Sequence, residues 1–332
     1  MTSPKRLRAH LGCVALSLAA TSAAFAEDPQ QWLAKMNLAL AGKNYDGVVT
    51  HAQGGKVETL RIIHRVQDGV TMERLVSLDG SGREFIRTGH ELACYLPDEH
   101  TVLVEQQPEE SLILGNLPTF DAMTSQYYDV KAVKRMRFLG RKVQLISVEP
   151  KDDFRYGYRL WIDERTALPL RTQLCDGHGS VIEQITFASL ETKAHIADAA
   201  FKPDIATDGF HWLRQQAAPV MVRSGPPVWN VATLPPGFRM TVRAAQVMPG
   251  GHEPVAHIVV TDGVASVSVF VESRTQQSVA GVIAGSAAQV GSSAAFSTVV
   301  DGHQVTAVGE VPPDTVRFIA NAVRAQAQPP PH

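Results

Sequence analysis

From Arg159 to Gln184 the chain runs RLWIDERTALPLRTQLCDGHGSVIEQ, and antiparallel β-structure is the arrangement that satisfies this pattern best. Tyr158, Leu160 and Ile162 alternate with Arg159, Trp161 and Asp163, the two-residue period of a half-buried strand. Asp163-Glu164-Arg165-Thr166 is polar turn material. Leu168, Leu170, Thr172 and Leu174 then share a face, with Pro169 near a strand start, where a missing N–H is tolerated. Asp176-Gly177-His178-Gly179 supplies the positive-φ positions of a tight hairpin. Nothing in this stretch has catalytic geometry. It is a wall, and what it encloses becomes the question.

The same rhythm covers much of the chain. Asp28–Ala41 is expected to be helical, with Asp28 as N-cap, Pro29 in the first turn, and Leu33, Met36 and Leu40 on one face. Between Tyr45 and Gln107 a β-meander is punctuated by Gly54-Gly55, Asp68-Gly69, Asp79-Gly80-Ser81-Gly82 and Gly89-His90. Pro108–Tyr128 breaks the pattern and predicts one or two short helices carrying Leu112, Ile113, Leu114, Leu117, Phe120 and Met123. Strands resume at Asp129 and run to about Leu190. So long a run of strands, with one helix before it and a helical patch inside it, predicts a curved antiparallel sheet over helices.

Asp208-Gly209 and Gly225-Pro226-Pro227 mark residues 205–227 as a linker. A smaller domain is expected over residues 228–332. Its strands fit Arg239–Val247, Val255–Thr261, Ala265–Val271 and Phe296–Val308, and a last helix fits Pro312–Ala327. Ser278–Ala295, rich in Ala, Gly and Ser, reads as a mobile loop with a helical turn.

Residues 1–26 have the form of an export signal. Lys5, Arg6 and Arg8 precede the apolar run Leu11–Ala20, and Ala24-Phe25-Ala26 is an A-x-A cleavage site. These three are among 31 basic residues, so residues 27–332 carry 28 basic against 33 acidic side chains, a formal charge of −5. That mild acidity gives no support to nucleic-acid binding. Residues 27–332 are expected to form a soluble protein of 27–204, the linker and 228–332, located outside the cytoplasm. Cys94 and Cys175 lack the CxxC spacing of a redox or zinc site; a disulfide between them and two free thiols both fit.

Enzyme motifs are missing. In His252-Glu253-Pro254-Val255-Ala256-His257 the histidines are five apart and interrupted by proline, so no helical face presents both to one metal. Gly177-His178-Gly179 opens no helix and is no phosphate loop. No catalytic, cofactor-binding or metal-binding residue is assigned, and no cofactor is expected.

Two non-catalytic features remain. Trp32, Met36, Leu40, Leu112, Leu114, Leu117, Phe120 and Met123 offer more apolar surface than a plain sheet needs, and suit either a closed core or a cavity for an acyl chain. Lys131, Lys134, Arg135, Arg137, Arg141 and Lys142 form a basic cluster. In it Lys131, Arg135 and Arg137 share strand parity, which suits a solvated face or a docking site for an anionic headgroup or acidic peptide.

The chain resembles the RseB/MucB regulators of the envelope-stress (sigma-E/AlgU-type) sigma factor. The resemblance rests on MNLALAGKNYDGVVTHAQGGKVETLRIIHRV (36–66), ERLVSLDGSGREFIRTGHELACYLPD (73–98), YGYRLWIDERTALPLRTQLCDGHGSVIEQITF (156–187), WNVATLPPGFRM (229–240) and VGEVPPDTVRFIANAV (308–323). It implies an α+β fold: a LolA-like half-barrel, in which a large curved antiparallel sheet wraps helices, and a smaller α/β C-terminal domain. It also implies a non-enzymatic periplasmic negative regulator. Such a protein binds the periplasmic part of a RseA/MucA-like anti-sigma factor, shields it from a site-1 protease, and responds to lipid, lipopolysaccharide or lipoprotein acyl chains. A homo-oligomer stays open. The LWID…LPLR hairpin alone is similar to that of LolA-type carriers, so a lipoprotein or lipid carrier is the alternative; the second domain is more than such a shuttle needs.

Overall fold

The computed structural model describes residues 28–106, 112–114, 117, 124–215, 229–247, 254–273 and 285–325. Helix α1 (Pro29–Gly42) starts where Asp28 accepts a hydrogen bond from the Gln30 N–H at 3.0 Å. It buries Trp32, Leu33, Met36 and Ala39. A first meander follows, of β1 (Tyr45–Gln53), β2 (Lys56–Gln67), β3 (Val70–Ser77), β4 (Glu84–Thr88), β5 (Glu91–Leu96) and β6 (Thr101–Gln106). One helical turn, α2 (Thr124–Tyr127), leads into a second meander of β7 (Tyr128–Phe138), β8 (Arg141–Pro150), β9 (Gly157–Asp163), β10 (Pro169–Cys175) and β11 (Val181–Thr192).

The two meanders fuse because β1 pairs with β2 on one side and β11 on the other. With β12 (His211–Gln215) the result is a curved twelve-stranded sheet, in the order β12-β6-β5-β4-β3-β2-β1-β11-β10-β9-β8-β7. Every neighbouring pair is antiparallel except β12 with β6. At the fusion, β11 bulges opposite Val48/Val49. Gly47 lies there because a Cβ would stand 2.6 Å from the Ser189 carbonyl oxygen and 2.9 Å from the Phe187 ring.

The face on which α1 packs is the inner one. Trp32, Leu33 and Met36 meet Tyr128, Ile146, Val148, Leu160 and Ile162 there. On the register, Val49, Leu60, Ile185 and Phe187 continue that face across β1, β2 and β11.

The second domain has its own core. A six-stranded sheet, β14 (Arg239–Val247), β15 (Pro254–Thr261), β16 (Ser266–Ser273), β17 (Ala287–Val290), β18 (Ser293–Val300) and β19 (His303–Gly309), is ordered β14-β15-β16-β19-β18-β17. Helix α3 (Pro313–Asn321) buries Thr315, Val316, Ile319 and Ala320 against it. A two-stranded ribbon of β13 (Trp229–Val231) and β20 (Val323–Ala325) completes the domain.

Three expectations meet different structure. His211–Gln215, expected at the start of the linker, is a strand of the large sheet, because a parallel pairing leaves no local hairpin signal. The final helix stops at Asn321, since Val323 and the following residues pair with Trp229–Val231 and bury both ends of the second domain together. Within the Ala/Gly/Ser-rich segment, residues 287–295 form a β-hairpin turning at Gly291-Ser292, with Gly291 at φ +59°. Of Pro108–Tyr128 the structure describes a turn at Leu112–Leu114, Leu117 and α2; Phe120 and Met123 lie outside the described residues.

Cys94 on β5 and Cys175 on β10 are free thiols. Burial pushes the Cys94 thiol up to about 11, so it stays protonated and unreactive.

Gly47→Ala is expected to destabilise the first domain by about 1–3 kcal/mol, the usual cost of forcing atoms into a packed site. The check is chemical denaturation of the two proteins side by side, and an unchanged midpoint would contradict the close approach at the fusion of the meanders.

Candidate functional site

Side chains of the inner face and of α1 fill the half-barrel. Trp32, Met36 and Leu114 are 5%, 0% and 2% exposed, while Leu40, Leu112 and Leu117 pack half-buried around them. The inserted segment is pinned by a backbone bond, Leu112 N–H donating to the buried Glu73 carboxylate on β3 at 2.8 Å. Beside it Ile113, Leu117, Tyr158, Leu174, Ile185, Glu183 and Glu310 enclose a cavity of about 30 Å³. That holds a water molecule or two and is well short of the roughly 300–1,000 Å³ of a small-molecule pocket. Six of the eight residues expected to line a lipid cavity thus gather on the inner side, where they serve as core.

The basic residues of β7 divide between faces. Lys131 stands opposite Ser147, and Arg135 opposite Gln144, because β7 bulges between Ala132 and Lys134. Ser147 and Gln144 are three residues apart on β8, so they point to opposite faces, and so do their partners. The shared parity of Lys131, Arg135 and Arg137 is therefore broken: Lys131 pairs with Glu149 at 2.7 Å on the outer face. On the inner side Arg135 reaches Glu164 at 3.6 Å, and Arg137 donates to the Gly140 carbonyl at 3.2 Å. Arg135 joins Lys35, Lys43 and Arg165 around a cleft of about 740 Å³ between α1 and the turn after β9, with Trp32, Leu38 and Ala39 as its apolar wall.

The most elaborate chemistry lies where the two domains meet. Tyr158, Leu174, Glu183 and Gln53 form one row across β9, β10, β11 and β1, at the rim of the sheet. Beside β9 the loop 151–156 carries Arg155, whose side chain is fully buried. Arg155 donates to both Asp152 oxygens at 2.9 Å, to Asp262 Oδ2 at 2.6 Å and to the Pro236 carbonyl at 2.6 Å. Its guanidinium lies over the rings of Tyr127, Tyr128 and Phe238 at 4.8, 5.5 and 5.1 Å. Asp262, in the β15–β16 turn, uses Oδ1 to accept the Val264 and Ala265 N–H groups, and Oδ2 also accepts the Tyr128 hydroxyl at 3.2 Å. Burial and the Asp262 charge together drive the Tyr128 hydroxyl well above its ordinary value, so it remains a donor. Phe154 packs edge-on to Phe318 of α3, and its carbonyl accepts the Thr315 hydroxyl at 2.9 Å.

Further along the rim the contacts are polar and small. His51 Nε2 meets Glu183 Oε1 at 2.9 Å, and Gln53 Nε2 donates to Glu183 Oε2 at 2.8 Å and Ser292 Oγ at 2.9 Å. Ser292 donates to Glu310 Oε1 at 3.1 Å. The second domain thus rests on the rim of the half-barrel at its mouth. The residues that join it there, Arg155, Asp262, His51, Glu183 and Glu310, carry no local motif. Asp262-Gly263 reads in sequence as a plain turn and Arg155 as loop, and only the fold brings them together.

A two-domain β-rich binding scaffold, with apolar interior and polar interdomain seams, is the class these features define. The sequence matches the MucB/RseB N-terminal domain over residues 28–205 and the MucB/RseB C-terminal domain over residues 223–324, and the chain belongs to the MucB/RseB family. Sigma factor AlgU regulatory protein MucB of Pseudomonas aeruginosa is 31% identical over 319 residues, covering 94% of this chain and 95% of that one. Sigma-E factor regulatory protein RseB of Salmonella typhimurium is 28% identical over 331 residues, covering 94% and 98%. Among solved structures, the Pseudomonas aeruginosa MucA/MucB complex aligns at a TM-score of 0.68 and 27% identity over 91% of this chain and 100% of that chain. The MucB and RseB relatives are sigma-factor regulatory proteins.

Arg155→Met is expected to destabilise the protein by about 3–5 kcal/mol, because Asp262 keeps a buried charge without its cation. Arg155→Met combined with Asp262→Asn should recover more than half of the loss, as Asn preserves the two turn bonds. Guanidinium denaturation of the single and double variants decides it, and equal losses in both would contradict the charge argument.

Proposed function

We propose that this protein is a periplasmic negative regulator of an envelope-stress sigma factor. It holds the periplasmic part of an anti-sigma factor, shields that segment from site-1 proteolysis, and yields it when a lipid-like ligand signals envelope damage. The single observation that carries this reading is the polar interdomain rim of a MucB/RseB-family fold. A second domain seated on the mouth of the half-barrel by hydrogen bonds and ion pairs can change its seating with ligand, where a fused apolar core could not. The solved complex of MucA with MucB supports the choice of partner.

The lipid arm of the proposal rests on the inner face. An acyl chain gains room there when Leu112, Leu114 and Leu117 move off Trp32, Met36 and Leu40; Phe120 and Met123 belong to the same inserted stretch. A ligand's anionic group would dock near Arg135 and Arg137, beside Lys35 in the cleft along α1, with Lys131 on the opposite face. Partner and ligand then compete by favouring different interdomain arrangements, each only to the extent of its differential affinity.

Immobilised anti-sigma periplasmic domain is expected to retain the mature protein and to resist site-1 cleavage in its presence. Failure to bind, with tight binding of an acyl chain, would favour the carrier alternative. In the same assay Leu117→Asp should keep partner capture and lose release by a lysophospholipid. Loss of the folded state instead would show that Leu117 serves only the core.

A further inference from the structure

The two contacts that seat the second domain differ in kind. The Arg155 clamp is built on a guanidinium, which keeps its charge throughout the range in which proteins fold. Two to three strand spacings away, ~10–15 Å at the usual interstrand distance, the rim is held by groups that do titrate. There Glu183 on β11 and Glu310, just after β19, face each other across the 30 Å³ cavity, and Ser292 and Gln53 link the two domains. His51 stands against Glu183 at 2.9 Å and is the cation of this group when its imidazole is protonated.

We propose that this second contact is a proton-operated latch, which keeps the second domain against the mouth of the half-barrel at mildly acidic pH and lets that side swing open about the Arg155 clamp as the pH rises. Opening uncovers Ile113, Leu117 and Ile185 on the inner wall, so the latch governs access to the apolar interior.

The signs follow from the surroundings of each group. The hydrogen bond to Glu183, aided by the charges of Glu183, Glu58 and Glu310, raises the His51 imidazole above its ordinary 6.5 despite burial. Glu58 lies opposite His51 on β2 and is itself held by Arg83 at 3.4 Å. Burial, then the Glu183 charge, raises the Glu310 carboxyl. Burial works against Glu183, but the hydrogen bonds from His51 and Gln53 hold its carboxyl below the ordinary value. From β9 and the residue before it, the half-buried Tyr158 and the buried Tyr156 also face Glu310, and both hydroxyls are raised by desolvation and stay neutral.

A raised histidine contributes stability that is complete below 6.5 and lost as pH climbs through its folded value; a raised carboxyl acts in the same direction. The lowered Glu183 contributes above its unfolded value of 4.5 and is lost on acidification. The latch is therefore tightest between the two limits. Above them, two carboxylates confront each other with no cation between.

Small-angle X-ray scattering of the free chain from pH 5.5 to 8.5 tests this without partner or lipid, so its failure is separate from any failure of the anti-sigma capture. The radius of gyration is expected to rise with a midpoint above pH 6.5, while circular dichroism stays constant. Glu310→Gln removes one of the facing charges and should move the rise to higher pH or abolish it. His51→Gln keeps a donor to Glu183 without the charge, and should be expanded already at neutral pH. A flat wild-type profile, or the same midpoint in both variants, overturns the proposal. Should His51→Gln fail to fold, the Glu310→Gln shift decides alone.

Discussion

Arg155 holds this protein in one piece. A guanidinium with no exposed surface bonds Asp152 of its own loop, Asp262 and the Pro236 carbonyl of the other domain, and stacks among Tyr127, Tyr128 and Phe238. Burying a charge is costly unless it is fully partnered, and the site answers with four hydrogen bonds and three ring faces. The consequence is geometric specificity more than raw stability. The planar fork of the guanidinium fits one local placement of the β8–β9 loop against the β15–β16 turn, and so fixes the point at which the two domains are joined.

Seen from this clamp, the two domains have separate cores joined by a polar seam. The half-barrel is filled by α1 and the inserted segment, and the second domain by α3 and its six-stranded sheet. Among the described residues, Phe154 and Val264 carry apolar surface across, each packing into the other domain's core. An interface of this composition separates at lower cost than a fused apolar core, since polar groups that part find water as their new partner.

Local patterns foretold much of this. The alternation in Tyr158–Ile162 and Leu168–Leu174, and the paired glycines between strands, set where the meanders run, and Asp28-Pro29 marked the start of α1. What escaped was information carried by distant residues. No residue in His211–Gln215 announces that its partner lies on β6. Val133 looks like any strand valine, yet as the bulge residue it sends Lys131 and Arg135 to opposite faces. The Ala and Ser of residues 287–295 have weak strand preference, and Phe296 and Ala307 across the ladder decide their conformation. The clamp and the polar rim were invisible for the same reason: His51, Glu183 and Glu310 become neighbours only after the sheet connections and a domain contact are in place.

The bulge in β7 has one more consequence. A sheet of twelve strands that does not close leaves β7 as an exposed edge of eleven residues, long enough to template the pairing of another chain. Lys131, Lys134, Arg135 and Arg137 stand along it, and the bulge kinks the backbone midway. A second copy approaching edge to edge would meet its own like charges and a broken ladder. The strand that looked in sequence like an invitation to a ligand thus carries the charges and the kink that disfavour edge-to-edge strand pairing.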